Sequence, residues 1–232
     1  AIQQLRLLVM TSATTADIVL DLHCDDHSLK HIFTSPELMP GLQDLADWMG
    51  VAATLTAEDS GGGSFDEVLP SLYRKAQLAN PDHPIPAAAE TATLEYRGRA
   101  DSYDSVGQAD AAGLFGFFAG RGLIAADAGT TPAAAPAPTP FEATEVLRAE
   151  APGLLAYRVE LGDRVKKGQP IADLIAMDGP EAFMARQPIL AGTDGFVLSM
   201  VTAKYVKRGA TIAKIVGDEI LPARAGGYLL ED

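Results

Sequence analysis

A segment in the second half of this chain recurs after 41 residues. Val165-Lys166-Lys167-Gly168 with Ile171-Ala172 returns as Val206-Lys207-Arg208-Gly209 with Ile212-Ala213, and a glycine stands upstream of each copy, at Gly153 and Gly195. Each copy reads as strand, turn at the glycine, strand. A unit this small cannot bury its own apolar face, so the two copies are expected to interlock about an approximate twofold into a small flattened β-barrel.

Ahead of the repeat, Asp127 to Pro140 reads DAGTTPAAAPAPTP, with four prolines and no apolar periodicity. That composition predicts a semi-rigid extended linker. The expected organisation is therefore one domain over residues 1–126, a linker over 127–140 and the barrel over 141–232. Charge divides at the same place: 18 acids to 7 bases through residue 127, against 13 to 11 from Glu142 onward.

The first part carries α/β signals. Ile2, Leu5, Leu8 and Val9 fall at helical spacing. Asp17 to Leu22 (DIVLDL) is an apolar, β-branched run of the kind found in a strand buried within a sheet. Leu38, Leu42, Leu45 and Met49 predict a helix over 36–49, and Gly50 supplies its stop. A Ser60-Gly61-Gly62-Gly63 loop leads into Ser64-Phe65-Asp66-Glu67, a capping-box pattern in which Ser64 and Glu67 would close a first helical turn. Residues 92–96 read as a second strand and 109–120 as a helix packed on it. Strand, helix, strand, helix implies an α/β layer architecture.

Of the 232 residues 47% are hydrophobic, ample for a core, and the net charge is −13. Such a charge argues against a nucleic-acid partner, because duplex affinity comes from neutralised phosphates, and against anionic membranes likewise. A lone cysteine, Cys24, forms no internal disulfide and suits a reducing compartment. No apolar run approaches the roughly 18 residues of a membrane span. A soluble cytoplasmic protein is expected.

His23, His27 and His31 fall at i, i+4, i+8 and would line one face if the segment were helical, a metal-binding pattern. The strand signal before His23 and the nearby Pro36 weigh against a helix. His23 instead terminates an apolar strand, where open α/β sheets place ligands, with Asp21, Asp25 and Asp26 around it.

Asp21-Leu22-His23 after a strand, Glu95 within Thr93-Leu94-Glu95-Tyr96-Arg97-Gly98, and the downstream Gly162-Asp163 with its Gly168 repeat together resemble the succinylglutamate desuccinylase/aspartoacylase family. The resemblance implies an α/β zinc-carboxypeptidase-like catalytic domain, here partial, followed by a small all-β, barrel-sandwich-like domain. It implies a zinc-dependent amidohydrolase that cleaves a small N-acyl amino acid or related N-acyl amine. His23 is then a zinc ligand, and Glu95 the general base and acid that moves a proton from metal-activated water to the leaving amine. Arg97 and Arg99 are candidates to hold a substrate carboxylate or to orient Glu95, with Glu90 a weaker candidate base. Gly62, Gly63 and Ser64 are candidate substrate-binding residues on a loop that is either a lid or a plain flexible connection, and Cys24 reads as a small residue that is either buried or supports His23 from behind.

The family's His-x-x-Glu ligand pair and its carboxylate-binding arginine segment are absent from this sequence. Either roughly a hundred residues precede it, which is the expectation, or the protein is a degenerate relative serving binding or assembly; His27 and Asp26 are candidates to replace a lost ligand. A carboxypeptidase-like protease is the other alternative. The repeat also resembles lipoyl and biotinyl carriers, but no lysine occurs from Gly168 to Ala203 to accept a swinging arm. The barrel is expected to border the catalytic domain or to pack against a neighbouring copy in a homo-oligomer.

Overall fold

The computed structural model describes residues 2–61, 63–130, 132–180 and 182–225. Helix α1 (Ile2–Ala13) forms as its spacing predicts, yet Ile2, Leu5, Leu8 and Val9 are exposed and only Ala13 is buried. Then follow β1 (Ile18–Asp25), β2 (His27–Ser28), β3 (His31–Thr34), α2 (Met39–Met49), β4 (Ala53–Thr56), α3 (Phe65–Ala79), β5 (Glu90–Gly98), α4 (Asp104–Gly120) and β6 (Thr139–Pro140). The three histidines read at helical spacing thus belong to three separate strands.

A mixed five-stranded sheet runs in the order β1-β5-β3-β4-β6. Strand β5 pairs in parallel with β1 and antiparallel with β3, while β3, β4 and β6 run parallel. The DIVLDL run, expected as a strand buried within a sheet, lies at its edge: among the described residues β1 pairs only with β5, and Leu22, His23 and Cys24 are exposed. Cys24 is therefore not buried, as one of its two readings has it. The Pro/Ala stretch lies against this domain: Ala135 donates its N–H to Asp47 Oδ1 at 2.8 Å, and β6 continues the sheet.

Helices α2 and α4 cover one core. Gly50 ends α2 in the left-handed region (φ 57°), its N–H returned to the carbonyls of Ala46 and Asp47, as the stop signal predicts. The glycines in α4 are explained by Trp48: a Cβ at Gly116 would lie 2.3 Å from its ring, and one at Gly113 2.8 Å from its carbonyl oxygen. Only bare backbone lets α4 approach α2 this closely. Leu42, Leu45, Leu94 and Phe117 fill the space between, each fully buried.

From residue 144 onward come β7 (Thr144–Arg148), β8 (Gly153–Tyr157), β9 (Arg164–Val165), β10 (Pro170–Ile175), β11 (Arg186–Leu190), β12 (Gly195–Met200), β13 (Tyr205–Val206) and β14 (Thr211–Gly217). Two antiparallel sheets, β11-β10-β8-β13 and β2-β12-β14-β7, face each other over one apolar core. The repeat is structural as well as textual. Strand β9 of the first copy pairs with β12 of the second, and β13 of the second pairs with β8 of the first. Gly168 and Gly209 turn at φ 84° and 82°, and their N–H groups donate to Ala191 and Ala149, each at 2.7 Å. Val165 and Val206, Ile171 and Ile212, Ala172 and Ala213 are buried pair by pair.

The halves join directly. Strand β2, from the first part, pairs with β12, and Ala53, Leu55, Phe141, Leu198 and Val216 from both parts form a shared apolar cluster. Asp26 caps this junction by accepting from the Thr202 N–H and hydroxyl at 2.8 and 2.7 Å.

Candidate active site

The row of side chains that crosses the first sheet at His23 is set by register. His23 on β1 is opposite Glu95 on β5, and Glu95 is opposite His31 on β3. Register partners share a face of the sheet. His23 and Glu95 both line a cavity of about 260 Å³, together with Asp21, Thr93, Ser60, Ser64, Asp66 and Glu67, the rings of Phe33, Phe65 and Phe141, and Lys214. The His23 Nε2 lies 3.1 Å from Asp21 Oδ2, which orients the ring.

Burial pushes the Glu95 carboxyl above its usual range; Asp25 adds to this by repulsion, while His23 and Lys214 oppose it. The Glu95 Oε2 atom is buried and has no hydrogen-bond partner among the described residues. A carboxylate left unpaired at the wall of a cavity has high proton affinity and is free to bond an incoming group. Those are the requirements of a proton shuttle.

The start of α3 forms the opposite wall, and proline shapes it. Pro70 has no N–H to give to the carbonyl four residues earlier. That carbonyl, on Asp66, instead accepts the Thr91 hydroxyl at 2.6 Å, tying α3 to β5, and the Asp66 side chain takes the Thr93 hydroxyl at 3.0 Å. The expected capping box does not close. Ser64 makes no cap hydrogen bond, and Glu67 reaches back past it to the N–H and hydroxyl of Ser60 at 2.9 and 3.0 Å. The glycine loop lengthens the reach, so Glu67 staples the loop rather than the helix start. Burial raises the carboxyls of Asp66 and Glu67.

The remaining sequence candidates divide. Ser64 lines the cavity, Gly63 is exposed with φ 63°, and Gly62 lies outside the described residues. Arg97 and Arg99 do not line it. The Arg97 Nη1 donates to Asp110 Oδ2 at 2.7 Å, and Arg99 pairs with Asp26 at 2.5 Å. Their guanidinium groups are paired with these carboxylates, Arg97 partly buried and Arg99 exposed. Glu90 is paired with Arg121 at the far end of β5, and His27 sits with exposed side chain on β2. Lys214, Phe33 and Phe141 were not singled out by the sequence; a lysine inside an otherwise buried strand, β14, is the one signal that pointed to Lys214.

A catalytic zinc takes three protein ligands and keeps one position for water. Among the described residues no group of three histidine, cysteine, aspartate or glutamate side chains is placed to hold a metal ion. His23 with Asp21 alone falls short of that set, so these residues do not by themselves fit the ion.

No family profile and no curated protein matches the chain. Solved structures do. A protein of Shewanella frigidimarina NCIMB 400 described as a succinylglutamate desuccinylase/aspartoacylase superposes with a TM-score of 0.72 at 22% identity over 89% of this chain and 55% of its own. A succinylglutamate desuccinylase/aspartoacylase family protein of Shewanella amazonensis SB2B gives 0.71 at 21% identity, covering 88% and 55%. The ectoine utilization protein EutE (DoeB) of Ruegeria pomeroyi gives 0.67 at 16% identity, covering 89% and 62%. The chain therefore spans little more than half the length of the structures it matches, and the fold it shares with them is that of succinylglutamate desuccinylase/aspartoacylase family proteins.

Proposed function

We propose that this chain carries the proton-shuttle side of an amide-cleaving deacylase acting on a small N-acyl amino acid or related N-acyl amine. The observation that supports this most is Glu95, a partly buried carboxylate with raised proton affinity in a cavity shared with His23. In the proposed reaction Glu95 takes the proton of a water as its oxygen attacks the acyl carbon. It then gives that proton to the amine nitrogen as the C–N bond breaks. The fold neighbours named as desuccinylases and aspartoacylases support the reaction class.

The same proposal takes the first part of the chain as a partial zinc-carboxypeptidase-like domain joined to a barrel-sandwich, with His23 offered to zinc. A cytoplasmic location is also proposed, since a free, exposed Cys24 suits a reducing compartment. No helix among the described residues is long and apolar enough to cross a membrane.

The test is amine release from a panel of N-acyl amino acids and short peptides, with zinc supplied. Hydrolysis of acyl amino acids, lost in Glu95→Gln, is expected. Cleavage of peptides alone would indicate a carboxypeptidase-like protease, and no hydrolysis with no zinc uptake would indicate a binding or assembly role.

A further inference from the structure

One buried histidine takes no part in the chemistry above. His31, on β3, is fully buried, and its Nδ1 lies 2.8 Å from the Leu29 carbonyl oxygen. A carbonyl only accepts, so Nδ1 carries the proton and donates it, and the ring presents a bare lone pair at Nε2. Burial keeps that ring neutral by holding its pKa down to about 4. The Nε2 atom is buried without a hydrogen-bond partner among the described residues, and so is Glu95 Oε2. These two residues are register partners in the antiparallel ladder of β3 and β5. Such partners share a face of the sheet with Cβ atoms about 4.5–5.5 Å apart, so the two side chains leave the sheet side by side. Asp25 and Lys214 act on both groups, which puts them in one electrostatic neighbourhood. The Phe33 ring meets the His31 ring edge-on with centroids 5.2 Å apart, and Phe33 lines the same cavity as Glu95.

Two neighbouring acceptors cannot satisfy one another, and leaving both bare in the interior is costly. A single water resolves this, because its two O–H groups can serve one acceptor each. We propose that His31 is a positioning residue for Glu95, through one buried water that donates to His31 Nε2 and to Glu95 Oε2. The ring is a rigid post, enclosed on all sides and pinned by Leu29. A glutamate side chain has three rotatable bonds; tethering Oε2 holds it to one arrangement and leaves Oε1 to meet the reacting water. Reaction rates are sensitive to such alignment. The catalytic consequence rests on the deacylase reading, whereas the link between the two side chains stands without it.

The link is tested first without reference to activity. A crystal structure of the chain should show an ordered water within hydrogen-bond distance of both atoms; no water there, or a direct contact between them, would overturn the proposal. Nitrogen-15 NMR of histidine-labelled chain then follows His31 in the unaltered chain and in Glu95→Met, which fills a similar volume, offers the water no acceptor and leaves the Leu29 bond intact. The Nε2 resonance should move toward that of a lone pair without a hydrogen bond while Nδ1 stays, and an unmoved Nε2 would count against the bridge. Kinetics supply the consequence, with zinc supplied and circular dichroism as the check on folding. His31→Asn can keep the Leu29 bond but does not reach the place of Nε2, and should lower kcat by about tenfold to a hundredfold at unchanged KM. His31→Gln sets an amide oxygen near that place and should recover most of the loss. A folded His31→Asn with normal kcat would remove the positioning role and leave the deacylase. A bridging water and a moving Nε2 resonance without amine release from any substrate would do the reverse.

Discussion

His23 and Glu95 stand directly opposite one another in the parallel ladder of β1 and β5, and the ladder breaks at once beyond them, resuming at Asp25 and Gly98. The extra residue lies on β5, where Arg97 adopts φ 92°. A bulge of this kind redirects the chain and ends regular pairing, which is a common device beside functional sites. It leaves His23 and Glu95 as the last regular pair before the break in that ladder, both lining the cavity.

The first prediction follows from that pair. Glu95→Gln keeps the size of the side chain and its place on β5 but cannot accept a proton. Loss of a general acid–base group lowers turnover by about 10²- to 10⁴-fold. Amine release should fall by that amount with the circular dichroism spectrum and zinc uptake unchanged. Near-normal turnover would remove Glu95 from the chemistry.

The repeat, the Gly50 stop and two of the first-domain strands, β1 and β5, were legible because each depends on local pattern: spacing, a breaker, or an apolar run; the sharing of one cavity by His23 and Glu95 was implied only by the family resemblance, and β3 and β4 gave no signal that was read. What stayed hidden depends on assembly. That β1 is an edge follows from which strands pair, and the exposure of Cys24 follows from that. Arg97 and Arg99 are turned toward Asp110 and Asp26 by a bulge that no sequence period reveals. Lys214 reaches the cavity only because two strands from different halves pair, placing residues nearly 190 positions apart at 2.8 Å from one another.

His31 sets an acid limit on stability. It is fully buried, and burial holds its imidazole down to about 4; the Leu29 carbonyl opposes this, Lys214 adds to it, and Asp25 opposes it. In the unfolded chain a histidine titrates near 6.5. Between these values the unfolded chain binds a proton that the folded chain refuses. The contribution is therefore complete above pH 6.5 and declines as pH falls toward 4, by on the order of 3 kcal/mol across the window. Urea unfolding at a series of pH values should show a shallower acid decline for His31→Gln than for the unaltered chain. Equal slopes would mean that His31 is not buried as a neutral ring.

Two glycines of α4 should respond in opposite directions to the same change. A Cβ at Gly116 would meet the Trp48 ring at 2.3 Å, whereas at Gly107 nothing lies within 4 Å. Gly116→Ala forces the ring or the helix to move and should cost about 1–3 kcal/mol. Gly107→Ala only removes backbone freedom from the unfolded chain and should stabilise by about 0.5–1 kcal/mol. Thermal unfolding of both variants reads the sign directly, and a stable Gly116→Ala would contradict the close approach of α2 and α4.

The interlocked repeat makes the last prediction a matter of symmetry. Gly168 and Gly209 occupy matching turns at φ 84° and 82°, nothing lies within 4 Å of a Cβ at either, and each N–H closes the same bond to an alanine carbonyl. Substitution meets no obstacle in space, so the cost is that of left-handed backbone alone, about 1–2 kcal/mol for an L residue. Gly168→Ala and Gly209→Ala should then destabilise equally, and the double variant should lose the sum, since distant sites in one cooperative unit add. Unequal single losses would show that one copy carries strain the other does not. A double loss well below the sum would show that β9 and β13, exchanged between the copies, do not unfold together.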